Sequence, residues 1–185
     1  MYYKNILILV ILFFYPSAKS AENIFLYKGT FSRTIKIEEL NKFNETRKAS
    51  TKLKSLMKIT NLDDKDLHDF LSYKITVPLK TSSRLMNSKI GEVFLSRLSK
   101  IIYPNKVSNI KTSIKAIRSG IILSSYNNNQ KINLINFINA YPNKNIAINV
   151  NALGKALEKA ESLKELIDFF SNSPFKKLKD GSSSI

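Results

Sequence analysis

The chain has 185 residues, no cysteine, one histidine, and 30 Lys and Arg against 14 Asp and Glu, a formal net charge of +16. Without cysteine it has no disulfide framework, no thiolate metal site, no thiol nucleophile and no lipid-linked N-terminal cysteine, so stability must come from an apolar core. The positive excess points to an anionic partner, or to the drift of an AT-rich genome, since Lys, Asn and Ile are abundant while Arg, Gly and Pro are few.

The N-terminus opens with Lys4, continues through ten apolar residues from Ile6 to Tyr15, and turns at Pro16 into Ser17, Ala18, Lys19, Ser20 and Ala21. Positive start, short apolar run and small residues at the exit make a signal peptide over 1–20. Cleavage falls between Ser20 and Ala21, with Ala18 and Ser20 as the two small residues it requires. Ten apolar residues are too few for a membrane anchor, which needs about 20. The expectation is an exported chain, in a periplasm or thylakoid lumen or secreted. N-terminal sequencing of the exported form should read from Ala21. The rest is long enough for one domain, 21–173, followed by a flexible basic tail at 174–185 with Lys176, Lys177, Lys179 and three serines.

From Ile24 two β-rich stretches, 24–27 and 31–37, flank Gly29, which is free to take the positive φ of a tight turn, and read as a hairpin. The second strand runs directly into a helix whose first turn holds Glu38 and Glu39, with Leu40 and Phe43 facing inward. Ser50 and Asp63 are N-caps of two short helices, one burying Leu53, Leu56 and Met57, the other Leu67, Phe70 and Leu71. After an extended Ile75–Val77 and Pro78 comes a helical stretch with Leu79, Leu85 and Met86.

Ser88 caps a further helix with Ile90, Val93, Phe94, Leu98, Ile101 and Ile102 on one face, stopping at Tyr103 before Pro104. Gly91 inside it marks the close approach of another backbone. Val107, Ile110, Ile114, Ile117 and Ile121, spaced three, four, three and four, form a helical stripe expected to be buried. The alternative, a basic amphipathic helix lying on an anionic membrane, competes for the same residues. Ser124–Gln130 reads as loop, Leu134–Ala140 as a helix, Ile146–Ile148 as a strand, and the chain from Asn151 as one long helix or two, carrying Leu163, Leu166, Ile167 and Phe170. Three β-branched pieces thus lead into helices, which suggests a small sheet against a helical body. The fold class is mainly α: a compact bundle of about six to eight short helices with a small hairpin or sheet near the N-terminus.

Catalytic signatures are sparse. There is no Gly-x-Ser-x-Gly elbow and no phosphate-cradling glycine loop. His68 reads as a surface residue rather than a base, and one histidine cannot build a zinc site. Asp63, Asp64, Asp66 and Asp69 lack the spacing of a calcium loop and read as an acidic helix start. No cofactor, metal or catalytic residue is assigned, and the chain reads as a non-enzyme. Nucleic acid is an unfavoured partner, because the lysines are dispersed and no aromatic strand is placed to stack bases.

The stretch Tyr27-Lys28-Gly29-Thr30-Phe31-Ser32-Arg33-Thr34-Ile35-Lys36-Ile37-Glu38-Glu39-Leu40-Asn41-Lys42-Phe43 resembles the opening of a cyanobacterial domain of unknown function that typically precedes a secreted α/β-hydrolase domain. Leu85 with Asn87-Ser88-Lys89-Ile90-Gly91-Glu92 resembles its central element, and Tyr141-Pro142 before Ile146 its closing one. The resemblance implies a hydrolase-associated module, here as a free-standing copy without serine, acid or histidine to carry over. Two functions follow as expectations: a non-catalytic module that binds or covers a protein partner, such as a secreted hydrolase or other envelope protein, or a peripheral envelope protein held to anionic lipid or wall polymer by its charge. Phe31, Ser32 and Arg33 beside the turn, and Gly91 with Glu92, are the residues expected at partner contacts; hairpin packing and helix capping are the competing reading.

Overall fold

The computed structural model describes residues 20–60, 62–107 and 109–159. Residues 1–19 of the expected signal peptide, the helix expected to carry Leu163, Leu166, Ile167 and Phe170, and the expected tail at 174–185 lie outside the described residues. In chain order these form β1 (Asn23–Lys28), β2 (Phe31–Lys36), α1 (Ile37–Thr46), α2 (Thr51–Thr60), α3 (Asp64–Ser72), β3 (Ile75–Thr76) and α4 (Leu79–Met86). There follow α5 (Lys89–Leu98), β4 (Ile102–Pro104), α6 (Ile110–Asn127), β5 (Lys131–Ile132), α7 (Leu134–Ala140), β6 (Asn145–Asn149) and α8 (Val150–Lys159). The fold is mainly α, as expected.

β1 and β2 form the hairpin, with Lys28 opposite Phe31 and Gly29 at φ 61 between them; that angle is open to glycine without a Cβ clash. The hairpin is half of a four-stranded sheet in the order β2-β1-β6-β4, in which β6 runs parallel to β1 and antiparallel to β4. One row across its inner face reads Ile35, Ile24, Ile146, Pro104, all buried. The next reads Arg33, Leu26, Ile148, Ile102, so an apolar row ends at the sheet edge in a cation. The Asn23 amide donates to Asn145 Oδ1 at 3.0 Å, and the Tyr27 hydroxyl to Asn105 Oδ1 at 2.8 Å.

β4 replaces the end of the helix expected to run to Tyr103. α5 stops at Leu98, where the Ile101 N–H turns back to the Leu98 carbonyl; beyond it β6 offers the Ile102–Pro104 segment a partner, and Tyr103, the residue before a proline, favours extended backbone. Pro104 lacks an N–H, which an edge strand tolerates. Ile75–Thr76 pairs with Lys131–Ile132 in a separate two-stranded ladder rather than joining the main sheet.

The caps fall where hydroxyl and carboxylate side chains predict them. Ser50 Oγ accepts from the Leu53 N–H, Asp63 from Asp66 and Ser88 from Gly91. α6 packs against α7, β4, α4 and α5 and is the central helix. Its Ile114 and Ile117 are buried, whereas Ile121 is half-buried and Ile110 is 47% exposed. Ile110 is exposed because α6 begins at that residue, capped by Asn109, and its first turn overhangs the core. Beside its two buried isoleucines the helix buries Ser113, Ala116, Gly120, Ser124 and Ser125. The last two were expected in a loop; instead the helix continues to Asn127, and the Ser125 hydroxyl donates to the Val77 carbonyl at 2.9 Å.

Gly120 lies beneath the Phe137 ring, which meets Tyr141 edge to face at 5.7 Å. Tyr141 is wholly buried and its hydroxyl has no hydrogen-bond partner among the described residues. Burial raises its phenol above the ordinary value near 10. Burial raises Tyr103 as well, with the Tyr27 phenol adding to it. The sign follows from linkage. The fold favours neutral Tyr141, so its contribution is intact below about pH 10 and is lost as pH climbs beyond that value. Tyr141→Phe removes an unpartnered hydroxyl, so its stability should lie within about 1 kcal/mol of the parent near neutral pH. Above about pH 10 the variant should lose less stability than the parent, as urea melts at the two pH values would measure.

Candidate functional site

The one histidine lies on α3, and its side chain is only 15% exposed rather than on the open surface. Its Nδ1 is 3.3 Å from Ser72 Oγ and 3.6 Å from the Asp69 carboxylate. Serine, histidine and acid are therefore together, Asp69 next to His68 in sequence and Ser72 one helical turn on, but both neighbours address the same ring nitrogen. An acyl-transfer relay needs the hydroxyl on one nitrogen and the acid on the other. The Ser72 hydroxyl is also engaged, donating to the His68 carbonyl at 2.5 Å. Of the acidic run, Asp63 serves as the N-cap of α3, and no cluster of three metal-ligating side chains occurs among the described residues.

The sequence-nominated contact residues separate into two groups. Gly91 is buried where α5 meets α4, its Cα turned to the Leu85 carbonyl. Glu92 is held by Arg118 of α6, whose Nε also donates to the Met86 carbonyl at 2.8 Å, so this arginine ties α6 to both α4 and α5. The close backbone approach expected at Gly91 is present. Ser20 is exposed, and Ala21 is buried beside the start of β1, where Glu22 pairs with Lys144 at 2.9 Å.

Phe31, Ser32 and Arg33 are presented to solvent, Phe31 to the extent of 80%. They lie on β2, which ends the sheet; among the described residues no strand pairs its outer side. The direction of each backbone group on that side follows from its neighbours. The Ile37 N–H donates to the Glu22 carbonyl, and the Asn23 N–H points away to Lys144. In an antiparallel ladder successive residues alternate in direction, so Phe31, Arg33 and Ile35 bond inward to β1. Ser32 and Thr34 then turn their N–H and C=O outward.

A groove of about 420 Å³ runs along this edge, lined by Ser32, Arg33, Thr34 and Ile35 on one side and Thr51, Lys52, Ser55 and Leu56 of α2 on the other. Consecutive strand residues point to opposite faces, so a groove that touches four in a row follows the strand edge itself. Its lining carries two cations and no carboxylate. Glu39 on α1 accepts a 2.5 Å hydrogen bond from Ser50, the residue before α2. Sequence reasoning found the β2 half through its place beside the turn. It missed the α2 half, because Thr51, Lys52 and Ser55 read only as the solvent side of an amphipathic helix.

No helix among the described residues is long and apolar enough to cross a membrane. No curated protein and no solved structure matches the chain. A family model does match, over residues 20–149, a span that takes in the hairpin, the groove and every described element up to the end of β6; the chain belongs to the family described as "Alpha/beta hydrolase of unknown function (DUF1400)".

Proposed function

We propose that this chain is an exported, non-catalytic module that binds a protein partner through the β2 edge. The observation that carries the reading is the open outer side of β2, with Phe31 projecting beside it and the groove running along it. An unpaired strand edge offers a row of donors and acceptors that proteins normally cover, blunt or use, and an exposed aromatic beside it supplies the apolar anchor of an interface. The non-catalytic part rests on His68, whose two neighbours share one nitrogen. Its export rests on the leader pattern of residues 1–20. A secreted α/β hydrolase is the partner that the sequence resemblance suggests.

The net charge of +16 favours a second reading, attachment to anionic lipid or wall polymer. The two separate on salt and on one side chain. With the mature chain immobilised, partner retention should persist at moderate ionic strength, fall at least about tenfold in Phe31→Asp, and be unchanged in Ile110→Asp, another exposed apolar position, on α6. Retention on anionic vesicles that vanishes with salt and ignores Phe31 would favour the surface reading instead.

A further inference from the structure

We infer that the β2 edge receives an extended acidic segment as an added strand, with Arg33 and Lys52 taking its carboxylates. The inference rests on the module reading above and gives the partner a chemistry.

Three observations converge on one line of the molecule. Ser32 and Thr34 present outward N–H and C=O groups in the alternation an incoming strand needs, about 4.8 Å from β2. The α2 wall with Ser55 and Leu56 makes the edge one side of a groove rather than a bare rim, and so gives alternate side chains of the incoming strand a place to lodge. Arg33 extends from the end of the row that begins with Ile102, Ile148 and Leu26, on the same face as those apolar side chains.

That last placement decides the charge of the occupant. A cation on the inner face of an edge strand blocks pairing with a second copy of the same edge, because like charges opposite each other are destabilising. Lys36 at the end of β2 and Lys52 across the groove add to the exclusion. A segment carrying Glu or Asp at alternate positions meets no such penalty, and places a carboxylate against each cation while its backbone completes the ladder. Arg33 can take a carboxylate through two parallel N–H bonds.

The probe is a capped peptide of alternating glutamate and valine, titrated against the mature chain by fluorescence of a label on the peptide. It should bind at least about tenfold more tightly than the same peptide with lysine in place of glutamate. Methylating its central backbone nitrogens should weaken binding by a similar factor, since this removes the ladder donors and leaves the charge. The double variant Arg33→Glu with Lys52→Glu, both on exposed side chains and checked for an unchanged circular dichroism spectrum, should invert the preference towards the lysine peptide. Binding that ignores N-methylation would overturn strand addition in favour of simple charge attraction, and equal affinity for the two peptides would overturn the acidic assignment. If every peptide fails while Phe31-dependent partner retention persists, strand addition is wrong and the module reading stands. If the peptides behave as expected but no partner depends on Phe31, the groove chemistry stands and the module reading falls.

Discussion

Gly91→Ala is expected to be severely destabilising although alanine is the better helix former. A Cβ built on Gly91 would lie 1.9 Å from the Leu85 carbonyl oxygen, 2.9 Å from its carbon and 3.0 Å from the Met86 Cα. All three are backbone atoms, so no rotamer change relieves the collision; α5 must move bodily away from the end of α4. The gain in propensity is about 1 kcal/mol. The cost belongs at or beyond the top of the ~1–3 kcal/mol range of overpacked cores. Separating the helices would also pull Glu92 and the Met86 carbonyl away from Arg118, which holds both. The net loss should reach about 2–3 kcal/mol, a fall in thermal midpoint on the order of 5–10 °C for a chain of this size. A midpoint within about 2 °C of the parent would show that α4 and α5 do not meet at this glycine.

Ile117→Ala should cost about 2–5 kcal/mol, whereas Ile110→Ala on the same stripe should stay within about 0.5 kcal/mol of the parent. Ile117 is 0% exposed, at the centre of the helix that touches α4, α5, α7 and β4. Truncating it leaves a cavity that those elements cannot all close at once. Ile110 is in the first turn and already faces water. Urea denaturation of the pair checks the orientation of α6 directly: similar losses at both positions would mean that the first turn is packed after all.

Local chemistry made much of the fold legible. Caps, turn and proline positions placed the hairpin, the Ser50, Asp63 and Ser88 helix starts, the 134–140 helix and the 146–148 strand, because each depends on residues adjacent in sequence. What misled was rotation. On α5 the apolar pattern placed Ile90 and Val93 inward, yet both are more than half exposed. Gly91 sets that helix's orientation, since the close approach to Leu85 turns Gly91 and Leu95 inward and their neighbours out. On α6 a stripe of isoleucines was visible, but the buried serines, alanine and glycine beside it were not, because small residues carry no hydrophobic signal and are buried only when a partner such as Phe137 fills the space above them. β4 was hidden because its pairing partner lies more than forty residues away in sequence.

The candidate site was half legible for the same reason. Phe31, Ser32 and Arg33 were marked by their place beside Gly29, but that β2 would be an edge strand depends on β6 taking the other side of β1. The groove's second wall depends on where α2 comes to rest. Neither can be read from the residues that form it.

Amide hydrogen exchange along β2, measured on the mature chain with and without the alternating glutamate–valine peptide, reads an added strand residue by residue. The Arg33 and Ile35 amides already bond to β1 and should change little. The Ser32 and Thr34 amides point outward and should slow by at least about tenfold when the peptide pairs with them. That odd–even alternation is the predicted result; uniform slowing along β2, or no slowing at Ser32 and Thr34 at saturating peptide, would contradict a partner strand at this edge.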